Sequence, residues 1–288
     1  MPSPNKWTQG GRSFASYMTP RTMRMGTSHV NDMLIGGGLS AVGGNNTQII
    51  NGLKYHVFTT SGTLTVTGSG TMNILAIGGG GGGMASTSGY GGGGGGVILY
   101  QETFVGGNVS VTIGQGGPSS DSNTGNGGNT ILTGGCSLIA LGGGHGNSGG
   151  VLNVNGSGGA FGAGTPPQGR NGATTSPGSG VPGGGYAATY NVSGASYSAG
   201  WTIDANTALL TTFSGMTELA GGGRGGANAN HGGTTGQNGG GVGCFPGGYV
   251  STQSSVYGCG GGGSGTNGHH PSSGAAGTQG VVVFRYAA

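Results

Sequence analysis

From residue 53 onward, apolar and polar positions alternate along short stretches of the chain. Tyr55 and Val57 stand two apart, as do Leu64 and Val66 within Thr63-Leu-Thr-Val-Thr67. A period of two is that of a strand with one buried face. Short apolar runs follow at Met72-Asn-Ile-Leu-Ala-Ile77, Val97-Ile-Leu-Tyr100 and Val109-Ser-Val-Thr-Ile113. The last run, Val281-Val-Val-Phe-Arg-Tyr286, lies at the other end of the chain. The pattern predicts an all-β protein whose first and last strands share one sheet. The middle of the chain is then an insertion into a closed β unit.

Three of the apolar runs lead straight into glycine: Ile74-Leu-Ala-Ile77 into Gly78–Gly80, Leu138-Ile-Ala-Leu141 into Gly142–Gly144, and Thr217-Glu-Leu-Ala220 into Gly221–Gly223. Glycine makes up 80 of the 288 residues, with 10 prolines beside it. Glycine loses more backbone freedom on folding than any other residue, so such a content normally marks low complexity. A local spacing of three points elsewhere, as in Gly156-Ser-Gly-Gly159-Ala-Phe-Gly162, Gly233-Thr-Thr-Gly236-Gln-Asn-Gly239 and Gly274-Ala-Ala-Gly277-Thr-Gln-Gly280. A polyproline II helix has three residues per turn, so glycine at every third position leaves one side bare. Bare sides let neighbouring helices approach closely enough for backbone N–H···O=C bonds between them. The expected architecture is a small β-sandwich or sheet unit extended by a glycine-rich bundle of packed polyproline II helices.

Residues 1–52 differ from residues 53–288. They hold five of the eight methionines and half of the basic residues, at Lys6, Arg12, Arg21 and Arg24, with no acid before Asp32. Methionine adapts to irregular partner surfaces, and a basic arm can dock on an acidic one. The stretch reads as an attachment arm acting through Lys6, Trp7, Arg12, Arg21 and Arg24, or as a merely solvated segment. Charged residues are only 5% of the chain and the net charge is +3, which argues against bulk nucleic acid as a partner. Met1-Pro-Ser-Pro-Asn-Lys6 lacks the apolar stretch of a signal peptide, and no run approaches the roughly 18 apolar residues of a membrane span. A protein made in the cytoplasm without a signal peptide, and not inserted in a membrane, is expected.

Candidate chemistry is sparse. Gly-x-Gly-x-x-Gly recurs at the rate this glycine content produces by chance, and no Gly-Lys-Ser/Thr phosphate loop occurs. The five acids Asp32, Glu102, Asp121, Asp204 and Glu218 are scattered, so no carboxylate pair announces a hydrolase. His269-His270 has no second pair at metal-ligand spacing and reads as a solvated loop. The odd count of Cys136, Cys244 and Cys259 argues against a disulfide framework. Free buried thiols are expected, with a Cys244–Cys259 bridge as the alternative. Asn108 and Asn191 begin glycosylation triplets that are idle without secretion. The expectation is a protein that is not an enzyme and has no cofactor and no metal.

Between the glycine segments lie excursions at 84–90, 145–155, 186–214 and 244–257, richer in aromatic, Asn, Ser and Thr residues. Loops on a rigid scaffold carry recognition, and Tyr or Trp among Ser, Gly and Asn makes adaptable contacts. Tyr186, Tyr190, Tyr197, Trp201, Phe245, Tyr249 and Tyr257 are the candidate binding residues.

The blocks Phe58-Thr-Thr-Ser-Gly-Thr-Leu-Thr-Val66, Ile74-Leu-Ala-Ile-Gly78 through Gly83, Gly91–Gly96 before Val97-Ile-Leu-Tyr100, Val109-Ser-Val-Thr-Ile-Gly-Gln-Gly-Gly117 and Gly280-Val-Val-Val-Phe-Arg-Tyr286 occur in this order. In that order they resemble the glycine-rich domain of bacteriophage tail-fibre and adhesin proteins, over about residues 53–288. The resemblance implies a virion surface protein whose tip loops bind a host outer-membrane protein or glycan. It also implies an arm docked on other virion proteins, and a homo-oligomer or a cap on a trimeric fibre. The arm departs from the pattern, being shorter than the aromatic-rich attachment domain of those adhesins and holding only Trp7. A structural or decoration protein of the capsid or tail is the alternative, and an ice-binding or matrix protein a minor one.

Overall fold

The computed structural model describes residues 38–84, 91–119, 125–146, 257–263 and 274–288, with the backbone of four short strands between 189 and 219. In chain order the strands are β1 (Ser40–Val42), β2 (Asn46–Ile50), β3 (Leu53–Phe58), β4 (Gly62–Thr67), β5 (Gly70–Ile77), β6 (Val97–Phe104) and β7 (Gly107–Thr112). They continue with β8 (Thr130–Gly134), β9 (Leu138–Ala140), β10 (Thr189–Val192), β11 (Ala195–Ser198), β12 (Trp201–Thr202), β13 (Glu218–Leu219) and β14 (Val281–Ala287). No helix occurs among the described residues.

Ten of the strands form two five-stranded antiparallel sheets, ordered β1-β4-β7-β8-β9 and β2-β3-β14-β5-β6. The first and last strands of the alternating pattern do share a sheet: β14 lies between β3 and β5, with Val283 opposite both Val57 and Leu75. The two sheets stack face to face. Leu64, Val66, Val109, Val111 and Leu132 of the first meet Phe58, Met72, Ile74, Val282 and Phe284 of the second in one buried cluster. Phe58 and Phe284 meet edge to face, centroids 5.9 Å apart. That geometry suits the aromatic quadrupole.

In β4 and β7 only alternate residues are buried, as their spacing predicts. In β3, β5 and β14 consecutive residues are buried, because a second cluster of Tyr55, Val57, Leu75, Ile77, Val97, Val281 and Val283 covers the outer face of their sheet. This explains the unbroken Val281-Val-Val run: a strand covered on both faces has no polar side to show.

The sheets begin upstream of residue 53. β1 pairs with β4, and β2 pairs with β3 through an Asn51-Gly52 turn, both residues at positive φ. That is the two-residue hairpin connection whose twist matches the strands. Both strands fall in the 1–52 stretch that composition assigns to the arm. β2 is an exposed edge strand along almost its whole length, so it carries no alternation to betray it.

Candidate functional site

The glycine segments start where the strands stop. β5 runs into 78–83, β7 into 114–118 and β9 into 141–146, while 91–96, 125–129 and 274–280 run into β6, β8 and β14. With 257–263 these make seven extended segments. Gly78, Gly79, Gly80, Gly81, Gly82 and Gly83 donate in turn to Gly96, Gly128, Thr278, Gly93, Gly125 and Ala275. The direction of donation therefore repeats every three residues, the period of a polyproline II helix. The carbonyls follow the same rule toward three other segments: Gly79 and Gly82 accept from Gly143 and Gly146, Gly80 from Gly117, and Gly81 from Gly261. Segment 78–83 is thus the hub of six neighbours. It donates to the three segments that run antiparallel to it and accepts from the three that run parallel.

The neighbours close a ring. Bonds Gly92 to Gly261, Gly258 to Gln279, Gly277 to Gly117, Gly128 to Gln115, Gly127 to Gly143 and Gly93 to Gly144, donor first, connect them in the order 91–96, 257–263, 274–280, 114–118, 125–129, 141–146 and back. Such packing has no room for side chains at the hub. A Cβ on Gly78 or Gly81 would strike segment 141–146, one on Gly79 or Gly82 segment 114–118, and one on Gly80 or Gly83 segment 257–263, each well inside 3.0 Å. Every direction is occupied, so the hub needs an unbroken glycine run. In ring segment 274–280 the glycines that face the hub are Gly274, Gly277 and Gly280, the threefold positions of the sequence, whereas Gly114, Gly117, Gly142, Gly143 and Gly261 are pressed against neighbouring ring segments.

Where a ring N–H lacks a backbone carbonyl, a polar side chain supplies the acceptor, as the accounting of buried amides demands. Asn129 Oδ1 accepts from Gly142 N and Asn126 Oδ1 from His145 N, both at 2.8 Å. Thr278 Oγ1 accepts from Cys259 N at 2.7 Å. Thr130, fully buried, joins lattice to sheets by accepting from Gly114 N at 3.0 Å and donating to the Ile77 carbonyl at 2.7 Å. Met84 and His145, the first residues of two of the excursions, are buried, and His145 Nδ1 donates to the Gly82 carbonyl at 2.8 Å.

At the end remote from the sheets, the described chain leaves the lattice at Met84, Ser119, Gly146 and Gly263 and re-enters at Gly91, Gly125 and Gly274. These seven points lie at the level of Gly82 and Gly83, whereas the chain enters segment 257–263 at the opposite, sheet end. Of the candidate binding residues, Tyr190 and Tyr197 are brought together. β10 and β11 form a hairpin that sets them directly opposite, with Asn191 opposite Ser196 and Thr189 opposite Ser198. Trp201 in β12 stands opposite Leu219 of β13. Tyr257 is placed differently: it precedes Gly258 at the sheet end of the lattice and packs, partly buried, against the outer-face cluster. Tyr186, Phe245, Tyr249, Lys6, Trp7, Arg12, Arg21 and Arg24 lie outside the described residues.

Compared with known families, residues 59–287 match the glycine-rich domain. The chain belongs to the glycine-rich domain family. No curated protein matches it significantly. The family's match begins at the end of β3 and closes in β14, so it covers most of the sandwich and the whole lattice together.

The titratable groups among the described residues of this glycine-rich domain are few. Among the described residues no three of His, Cys, Asp and Glu come together as metal ligands would. Burial, with Glu102 nearby, pushes the Cys136 thiol up to about 11, so it stays protonated beneath the sheet. His56 is held below its usual value by burial, against the opposing pull of its bond to the Gly43 carbonyl. His56, Thr130 and His145, the buried polar anchors of this domain, carry no motif. Only the neighbours the fold gives them distinguish them from surface residues.

Proposed function

We propose that this protein is a non-enzymatic surface protein of a bacteriophage particle: a tail-fibre or tail-tip adhesin that holds a host surface protein or glycan in the segments leaving its lattice. On this reading Lys6, Trp7, Arg12, Arg21 and Arg24 attach the arm to other virion proteins, and no cofactor is used. One observation carries the proposal. The lattice is backbone at its centre, and seven of the points where the described chain leaves or re-enters it lie at the end remote from the sheets, so recognition chemistry is expected from the segments between glycine runs. Support for a contact surface in the longest of these comes from Tyr190 and Tyr197, set opposite one another among Ser, Thr and Asn. Such pairs offer broad, adaptable contact area at low entropic cost.

The test is a phage carrying this protein with residues 186–214 deleted. The deletion removes β10, β11 and β12, none of which pairs with either large sheet. Particles are expected to assemble and to lose adsorption to the host. Unchanged adsorption by assembled particles refutes the reading, and many copies per particle spread over capsid or tail favour a decoration protein instead.

A further inference from the structure

Between β1 and β2 the chain crosses from one sheet to the other at Gly43, Gly44 and Asn45, with Gly43 and Gly44 at φ 133° and 93°. The crossing rests on a buried histidine. His56, 1% exposed, approaches the Gly43 carbonyl with Nδ1 at 2.7 Å. A carbonyl only accepts, so Nδ1 carries the proton, and Nε2 is left as an acceptor. Nε2 faces the Tyr286 hydroxyl at 3.4 Å, and that hydroxyl accepts from Ala41 N of β1 at 2.8 Å. The two rings lie nearly parallel, 7° apart. One neutral imidazole therefore holds both ends of the crossing, Gly43 directly and Ala41 through Tyr286.

We propose that His56, Tyr286 and the Gly43 carbonyl form an acid-released latch, coupling β1 and whatever lies upstream of it to the sheets at neutral pH and freeing them in acid. The groups that face His56 give a second proton no welcome. Lys54 on the same strand is a cation, whose ammonium donates to the Ala41 carbonyl at 3.4 Å. From β2 comes the uncharged Thr47 hydroxyl at 3.3 Å, and from β14 the uncharged Tyr286. Arg285 pairs in register with Tyr55, whose side lies on the opposite face from His56. Among the described residues the one carboxylate with a placed side chain, Glu102, is on β6 at the far edge of the sheet. Protonation turns Nε2 into a donor, so the Tyr286 proton loses its acceptor and a buried cation appears near the partly buried Lys54.

Burial holds the folded histidine below its ordinary value of 6.5. A lowered folded value means that the opened crossing binds the proton more readily. The latch is intact above about pH 6.5 and weakens as the pH falls below it, until the folded histidine also titrates.

The test is amide hydrogen exchange on the full chain, expressed as protection factors, from about pH 7.5 to about pH 4.5. Protection of the Ala41 amide is expected to fall as the pH drops below about 6.5, by up to about tenfold per unit for one linked proton. Leu64 and Val109 in the core serve as references and hold their protection. In His56→Asn, whose amide still reaches Gly43 but does not titrate, Ala41 protection is flat with pH. Tyr286→Phe removes the acceptor for Ala41 N and lowers its protection at every pH. A flat wild-type profile, or the same slope in His56→Asn as in wild type, overturns the proposal.

Discussion

Substituting Gly81 by alanine places one methyl group at the hub of the lattice. Its Cβ would land on the carbonyls of Gly144 and Gly143, so segment 141–146 has to retreat. That segment is held to the hub by Gly143 N donating to Gly79 at 2.7 Å and Gly146 N donating to Gly82 at 3.0 Å. Leaving a buried donor or acceptor unsatisfied costs about 1–3 kcal/mol, and overpacking a dense interior costs about 1–3 kcal/mol more. Alanine recovers about 0.4–1 kcal/mol by restricting the unfolded chain. With one of the two bonds lost, the net destabilisation is about 3 kcal/mol; with both, about 5 kcal/mol, a large share of a typical domain's stability. Urea titration of the full chain followed by circular dichroism measures it, with Gly38→Ala as control. A Cβ on Gly38 meets nothing within 4 Å and its φ is unremarkable, so that variant should stay within about 0.5 kcal/mol of wild type. Equal midpoints for Gly81→Ala and Gly38→Ala would refute a hub closed on all sides.

Thr130→Val keeps the shape but strands Gly114 N and the Ile77 carbonyl, for a loss of about 3 kcal/mol in the same urea assay. Cys136, buried and with its thiol pushed up to about 11, is expected to resist iodoacetamide at a pH of about 8 in the native protein. It should be alkylated at once in denaturant, as peptide mass mapping reads directly. Deletion of 186–214 should abolish adsorption while particles still assemble. Ala41 exchange should follow the titration of His56 and become flat in His56→Asn.

Alternation makes part of the fold legible in the sequence. Leu64 and Val66, or Val109 and Val111, sit two apart because one face of each strand is buried, and the run at Val281 joins β3 as expected. β1 and β2 were not legible: β1 is three residues long with only Ala41 buried, β2 is an edge strand of exposed positions with no reason to alternate, and both fall in the stretch that composition assigns to the arm. Of the candidate residues, Tyr190 and Tyr197 are brought into register, whereas Tyr257 serves the outer-face cluster at the sheet end. An aromatic residue beside glycine looks the same in sequence whether it packs or binds, because burial is decided by distant segments.

The glycines divide the two sources of information most clearly. Sequence alone determined that strands end in glycine and that bare positions recur every three residues, since both follow from local backbone geometry and side-chain size. Only the tertiary structure decided which run is the hub. Gly78–Gly83 and Gly91–Gly96 read alike in sequence, yet one is enclosed on six sides and the other lies on the ring. Enclosure depends on hydrogen bonds from segments as far away as 274–280, and no local pattern records which of them arrive.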